Sequence, residues 1–362
     1  MTGKAFAPLA AILVSCAYDT NFADCVVQCS ADTACPETLT CETEGLCRVP
    51  GATKICAAII GTAPSCTRLA AMCGPYSDED CCATATIPGG AFFRSYDVAS
   101  DALYSSTSYP ATVSAFSLDR FEVTVGRFRA FIGAGTGTRR NPPAAGAGKR
   151  KLNGIESQGG WNVSWNANLA EDAAALAAAL QCDPAYQSWT DVPNGNEALP
   201  INCVTWYEAF AFCAWDGGFL PTEAEWNFAA VGGDEQRAYP WSNPAASLTI
   251  DCTRANYNNN AGYCTKPPNG AVNRVGATAP NGEGSYAQTD LAGNVFEWTM
   301  DSFASLNSSC DNCSNLNETG FRVLRGGGWD NLPAQVRTNH RIDRIPSLRH
   351  RAVGLRCARA VP

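Results

Sequence analysis

The chain has 362 residues, of which 46% are hydrophobic and 17% charged, with a formal net charge of −8. That supports a sizeable core in one large domain or two ordinary ones, and the acidic balance argues against a nucleic-acid binder. Nineteen cysteines beside two histidines argue against a reduced cytosolic chain and mixed-ligand zinc modules, while 32 glycines and 21 prolines favour a loop-rich fold stapled by disulfides in an oxidising compartment.

Residues 1–15 read as an export signal. Lys4 gives a positive start, and Ala5 to Val14 form an apolar stretch too short to span a bilayer as a mature helix. Leu13-Val14-Ser15-Cys16 resembles a bacterial lipobox, which implies that Cys16 is lipidated and begins the mature protein. The alternative is an ordinary cleavage site with Cys16 in a disulfide. Lipidation leaves 18 cysteines, an even number. No other segment is apolar and long enough to cross a membrane, so the expected membrane link is the lipid anchor alone.

Residues 16–85 form a cysteine-rich module. Cys25, Cys29, Cys35, Cys41, Cys47, Cys56, Cys66, Cys73, Cys81 and Cys82 lie here among short polar spacers. Such a segment buries little core and needs disulfide staples. The six-residue recurrence of Cys35, Cys41 and Cys47 resembles small extracellular modules. The pairing within the set stays open.

The composition changes near Ile87-Pro88-Gly89-Gly90, and a second part, 86–362, follows. Residues 91–97 and 111–125 alternate apolar with polar and predict short strands. Residues 141–151 predict a loop, and 171–182 an alanine-rich helix. Val204 to Trp215 places Trp206, Phe210, Cys213 and Ala214 on one helical face, stopped by Gly217-Gly218. Thr222 and Glu225 form a capping box for the next helix. Glu223 and Glu225 are read as capping and surface charge rather than as a catalytic pair. Strands and loops fill the last third, which ends in the arginine-rich segment Arg337–Arg359. Cys182, Cys203, Cys213, Cys252, Cys264, Cys310, Cys313 and Cys357 make this second set even as well.

Four segments in order, FSLDRFEVTVGRFRAF (116–131), LPINCVTWYEAFAFCAWDGGFLPTEAEWNFAAVGG (199–233), TDLAGNVFEWTMD (289–301) and RVLRGGGWDN (322–331), with GLRCAR (354–359) closing, resemble the formylglycine-generating enzyme (sulfatase-modifying factor) family. The resemblance implies an α+β, C-type-lectin-like domain with little regular secondary structure. It also implies a disulfide between Cys213 and Cys357. Founding members use copper and oxygen to oxidise a cysteine of a client sulfatase. Their two active-site cysteines follow the RGGS-type strand, five residues apart. By register those positions are Asn331 and Val336 here. A copper(I) site needs soft sulfur ligands, so copper and catalytic residues are not expected. Ala230 and Arg341 stand where a further family disulfide would lie, and Phe219 replaces a basic residue near the groove floor.

The same resemblance implies a calcium ion on the GNVFEW turn, held by Asp290, the Gly293 and Val295 carbonyls and Glu297. A second ion would involve Asn256 and the Tyr257 carbonyl. Hard oxygens on an irregular loop suit calcium, although a turn held by Gly293 and Asn294 explains the same residues. Cys310 and Cys313 have redox-motif spacing, but a local disulfide is favoured in an exported protein. His340 and His350 are read as structural. The terminal arginines are read as partners for the excess carboxylates. Trp161, Trp165 and Trp189 either line a groove or serve packing. Together these features predict a protein exported and lipid-anchored in the envelope of a Gram-negative bacterium, at the outer membrane or cell surface. Its expected role is non-catalytic binding of a peptide, glycan or envelope protein. A metal-dependent oxidase of the same family with altered ligands is the alternative.

Overall fold

The structure is a computed structural model and describes residues 40–41, 47–48, 63–67, 69, 71–99, 107, 109–152, 155–156, 159–265, 272–306, 309–317 and 320–361. Cys16, Cys25, Cys29, Cys35 and Cys56 lie outside the described residues, as do the disulfides expected within this first set up to Cys56. Two compact units divide the chain, Met1–Ala58 and Ile59–Pro362. In the first, Thr40–Cys41 pairs antiparallel with Cys47–Arg48.

The second unit is built from short strands, four helices and long loops. The strands of its three larger sheets are β1 (Thr84–Ile87), β2 (Gly90–Phe93), β3 (Pro110–Val113) and β4 (Phe116–Asp119), then β5 (Phe296–Ser302), β6 (Cys310–Asp311), β7 (Arg322–Arg325), β8 (Arg341–Arg344), β9 (Val353–Gly354) and β10 (Ala358–Ala360). The longest sheet runs β8-β7-β5-β9, and two three-stranded sheets run β10-β4-β1 and β6-β3-β2. The helices are α1 (Val125–Gly133), α2 (Ala173–Ala179), α3 (Trp206–Trp215) and α4 (Glu223–Val231).

The strand expected to continue to Val125 stops earlier. The Thr124 hydroxyl accepts from the Arg127 amide at 3.2 Å and starts α1 instead. The capping box of Thr222 and Glu225 forms as expected, and Gly232 ends α4 at φ 71°. Thr205 and Glu208 make a second box that opens α3. Strand β5 is buried along its whole length, so it shows no inside-outside alternation in burial. Its two faces still differ in chemistry. Phe296, Trp298 and Met300 enter the main core, which α3 and α4 share, while Glu297, Thr299 and Asp301 point the opposite way.

The expected border at residue 86 lies further toward the N-terminus. The compact unit starts at Ile59, and Cys66–Cys82 and Cys73–Cys81 belong to it. The buried Ser65 donates its amide to Asp216 Oδ1 at 2.9 Å and accepts from Arg127 Nε at 3.0 Å. Only one residue, Ala83, separates these disulfides from β1, so they staple the edge of the β10-β4-β1 sheet. All eight cysteines of the second set pair internally: Cys182–Cys203, Cys213–Cys357, Cys252–Cys264 and Cys310–Cys313.

Candidate functional site

Asn331 precedes a short 3-10 turn, Pro333–Val336, and Val336 is the last residue of that turn. Val336 is fully buried against Tyr239, Ala255, Tyr257 and Ala292. The Asn331 side-chain oxygen accepts from the Gly328 amide at 2.8 Å, and its carbonyl accepts from the Asn258 amide at 2.9 Å. Tyr239 donates to the Pro333 carbonyl at 2.9 Å. These two positions therefore offer an amide held in a turn and a hydrocarbon in a core. Neither presents a nucleophile. Phe219 is a buried residue bridged to Ala358.

The GNVFEW turn gathers more charge than its motif shows. Asp290 Oδ2 accepts from the Gly276 amide at 2.6 Å and from the Thr289 hydroxyl at 3.0 Å. Gly293 has φ 88°, and a Cβ there would meet the Asn256 carbonyl oxygen at 2.3 Å, so only glycine lets the two backbones meet. Asn256 closes this contact by donating from Nδ2 to Asn294 Oδ1 at 3.1 Å. The Tyr257 carbonyl accepts from the Cys264 amide at 3.1 Å. Glu297 is engaged on both oxygens, by Arg356 at 2.7–2.9 Å and by the Trp226 indole at 2.7 Å. Glu122, buried within an apolar run, accepts from Asn294 Nδ2 at 2.6 Å and the Val295 amide at 3.1 Å.

Three buried carboxylates thus surround one guanidinium, that of Arg356. Burial, with Asp290 and Glu297 nearby, pushes Glu122 well above the usual carboxylate range. Burial also raises Asp290, against the Gly276 amide and Arg356. Among the described residues no three His, Cys, Asp or Glu side chains form a ready metal site. The calcium set fits in part. Asp290 and the carbonyls of Gly293 and Val295 are hard oxygens of one turn in an acidic surrounding, whereas Glu297 is already taken. Sequence reasoning missed Glu122, and its signal was a charged residue inside FEVTV.

Glu225 caps α4 as expected, whereas Glu223 does not, and neither is a surface charge. Glu225 is buried and ion-paired to Arg150 at 2.6 Å. Glu223 is buried, and Arg341 grips it with two bonds of 2.7 Å. Burial raises the Glu223 pKa, yet Arg341 and Arg325 outweigh it and hold the carboxyl low. Arg341 therefore replaces a family cysteine with a charge that α4 needs. The terminal arginines pair with carboxylates as expected: Arg349 with Glu208, Arg351 with Asp183, Arg356 with Glu297 and Arg359 with Asp216. His350 is part of a turn, its Nδ1 accepting from the Ala352 amide at 3.2 Å.

Trp161 and Trp189 are buried and serve packing. Trp165 is partly exposed and meets Trp206 edge-on at 5.0 Å. With Trp206, Phe210, Met300, Leu316 and Arg322 it lines a cleft of about 270 Å³. The Arg322 guanidinium lies 3.8 Å over the Trp206 ring and donates to the Met300 carbonyl at 3.1 Å. Trp206 and Phe210 are fully buried behind Trp165, so Trp165 is the ring that a stacking group could reach. The sequence did not connect Trp165 with Trp206, because 41 residues separate them.

Comparisons with known proteins agree with this architecture. The family description "Sulfatase-modifying factor enzyme 1-like domain" matches residues 71–361. An inactive C-alpha-formylglycine-generating enzyme 2 of Mus musculus is 27% identical over 294 residues, covering 75% of this chain and 84% of its own. A formylglycine-generating enzyme of Thermomonospora curvata is 29% identical over 306 residues, covering 75% and 91%. The structure of PvdO from Pseudomonas aeruginosa superposes with a TM-score of 0.51 at 20% identity, covering 77% of this chain and 94% of that one, and shares its fold.

Proposed function

The chain belongs to the sulfatase-modifying factor family, and from that membership we propose that it is a non-catalytic binding module. The carrying observation is the pair Asn331 and Val336, an amide bound in a turn and a buried valine where the family's thiols would stand. The mouse relative named inactive supports the same reading. The ligand is a peptide, glycan or envelope protein, and the Trp165–Trp206 cleft is its stacking site. Cys16 anchors the protein by lipid to the outer membrane or cell surface of a Gram-negative bacterium. Calcium belongs to this proposal. Asp290 and the carbonyls of Gly293 and Val295 would hold it, and Glu297 joins by exchanging an Arg356 bond for the ion. A bound cation would offset the carboxylate excess and fix the turn.

The test incubates the purified protein with copper, oxygen and a sulfatase-type cysteine peptide. No aldehyde is the expected product, and aldehyde formation would refute the proposal. Metal analysis of the same sample separates the alternative: stoichiometric iron or copper favours an oxidase. A Trp165→Ala variant is expected to lose peptide or glycan binding and, because the ring packs against Trp161, Trp206 and Phe210, to lower the thermal midpoint as well.

A further inference from the structure

Cys310 and Cys313 close a disulfide across only two intervening residues. Closing so short a loop removes less unfolded-chain entropy than any other described disulfide. The loop does not depend on it for shape. Asn312 donates its amide to the Thr112 carbonyl at 2.8 Å and accepts the Ser114 amide on Oδ1 at 2.7 Å. Arg150 donates to the Asn312 carbonyl at 3.0 Å and to its Oδ1 at 3.1 Å. Arg150 is itself fixed by the buried Glu225. The backbone around the two sulfurs is thus held by β3 and by an ion pair at α4, whether or not the sulfurs are joined.

The surroundings of the two sulfurs differ. Cys313 lines a small cavity of about 20 Å³, together with Asp301, Glu223, Arg94 and Arg325. Both cysteines are partly exposed, but Cys310 lies on the edge strand β6 and does not line this cavity. Asp301 is tied to the loop, since its Oδ1 accepts from the Asn315 amide at 2.7 Å. Its Oδ2 accepts from the Glu223 amide at 2.7 Å.

We propose that Cys310–Cys313 is a thiol–disulfide exchange site, with Cys310 the attacked sulfur and Asp301 the proton donor to Cys313. An external dithiol supplies the electrons. Its thiolate attacks Cys310 Sγ, the Cys310–Cys313 bond breaks, and the electron pair leaves on Cys313. Asp301 passes its proton to that thiolate. The second external thiolate then attacks its own mixed disulfide and releases Cys310 as a thiolate, which takes a proton from water. The external dithiol is oxidised to a disulfide, and the Cys310–Cys313 pair is reduced to two thiols.

Two features support the proton step. Burial, reinforced by Glu223 and Glu225 and opposed by the amides of Asn315 and Glu223, lifts Asp301 to about 7, so it holds a proton near neutrality. Arg94 and Arg325, on the same cavity, favour a thiolate on Cys313 while it forms. Arg341, bound to Glu223, completes the charged groups around Asp301.

The experiment uses the full chain in a series of reduced-to-oxidised glutathione ratios, with acid quenching, alkylation and peptide mass mapping. Cys310–Cys313 is expected to open at a ratio at least ten-fold less reducing than Cys213–Cys357 or Cys182–Cys203, with the glutathione adduct on Cys310. Opening together with those two, or an adduct on Cys313, overturns the proposal. The second readout is the opening rate per glutathione thiolate against pH. It should fall as pH rises through about 7 in the native chain and stay flat in Asp301→Asn. A merely structural Asp301 would leave both profiles alike, and that result removes its role.

Discussion

Arg127→Met strikes a buried ion network of the second unit. Arg127 and its partners Asp119 and Asp216 are all fully buried, at 2.8 and 2.6 Å. The substitution keeps the volume but strands two carboxylates. Breaking one buried pair costs ~3–5 kcal/mol. Arg359 still reaches both Asp119 and Asp216, so the lower end applies, ~3 kcal/mol. For a chain of this size that lowers the thermal midpoint by roughly 6 °C. Burial opposes ionisation of Asp119, but Arg127 and Arg359 outweigh it and hold its carboxyl below 3.8. A lowered carboxylate stabilises the fold above its unfolded pKa, and that stability is lost as pH falls through the folded value. The acid limb of stability below about pH 4 should therefore flatten in the variant. Calorimetry and urea titration at pH 7 and pH 3 measure both effects. Adding Asp216→Asn should recover ~1 kcal/mol by removing one stranded charge. A loss below ~1 kcal/mol at pH 7, or no recovery in the double variant, would refute the reasoning.

Replacing Cys213 and Cys357 together by alanine should cost up to ~5 kcal/mol, because that bridge closes a 144-residue separation; denaturant midpoints in oxidising buffer check it. Asp301 keeps its proton to about pH 7 when folded but loses it near 3.8 when unfolded. The folded state then binds the extra proton between those values, so this group's stabilisation falls as pH rises from about 4 to 7, by ~4 kcal/mol at most. Asp301→Asn should remove that slope from the difference between the two stability curves, and an unchanged slope would contradict it. Calcium at a hundred times its dissociation constant should add about 2.7 kcal/mol, read as a raised thermal midpoint that Asp290→Ala abolishes and magnesium does not reproduce. Gly293→Ala should lower the midpoint strongly with or without calcium, since its Cβ would collide with the Asn256 backbone.

Several parts of this fold were legible locally. The capping box of Thr222 and Glu225 is a four-residue signal, and it formed as read. The Cys213–Cys357 pair followed from motif register and is present. By contrast, Glu223 and Glu225 read as surface charge because a sequence shows a carboxylate without its partner. Arg341 and Arg150, 118 and 75 residues away, make those charges tolerable in the interior. Glu122 was passed over for the same reason, since its hydrogen-bonding partners lie 172 and 173 residues further on.

The nineteen cysteines alone determined that this chain is a disulfide protein, because unpaired thiols in that number fit no reduced compartment. Motif order alone pointed to the family, which the match over residues 71–361 shows. Only the tertiary structure decided which charges are buried, that Trp165 meets Trp206 across a cleft, and that Cys313 shares a cavity with Asp301. The reason is range. Caps, turns and register are set within a few residues, whereas ion pairs and cavities depend on chain segments that meet only after folding.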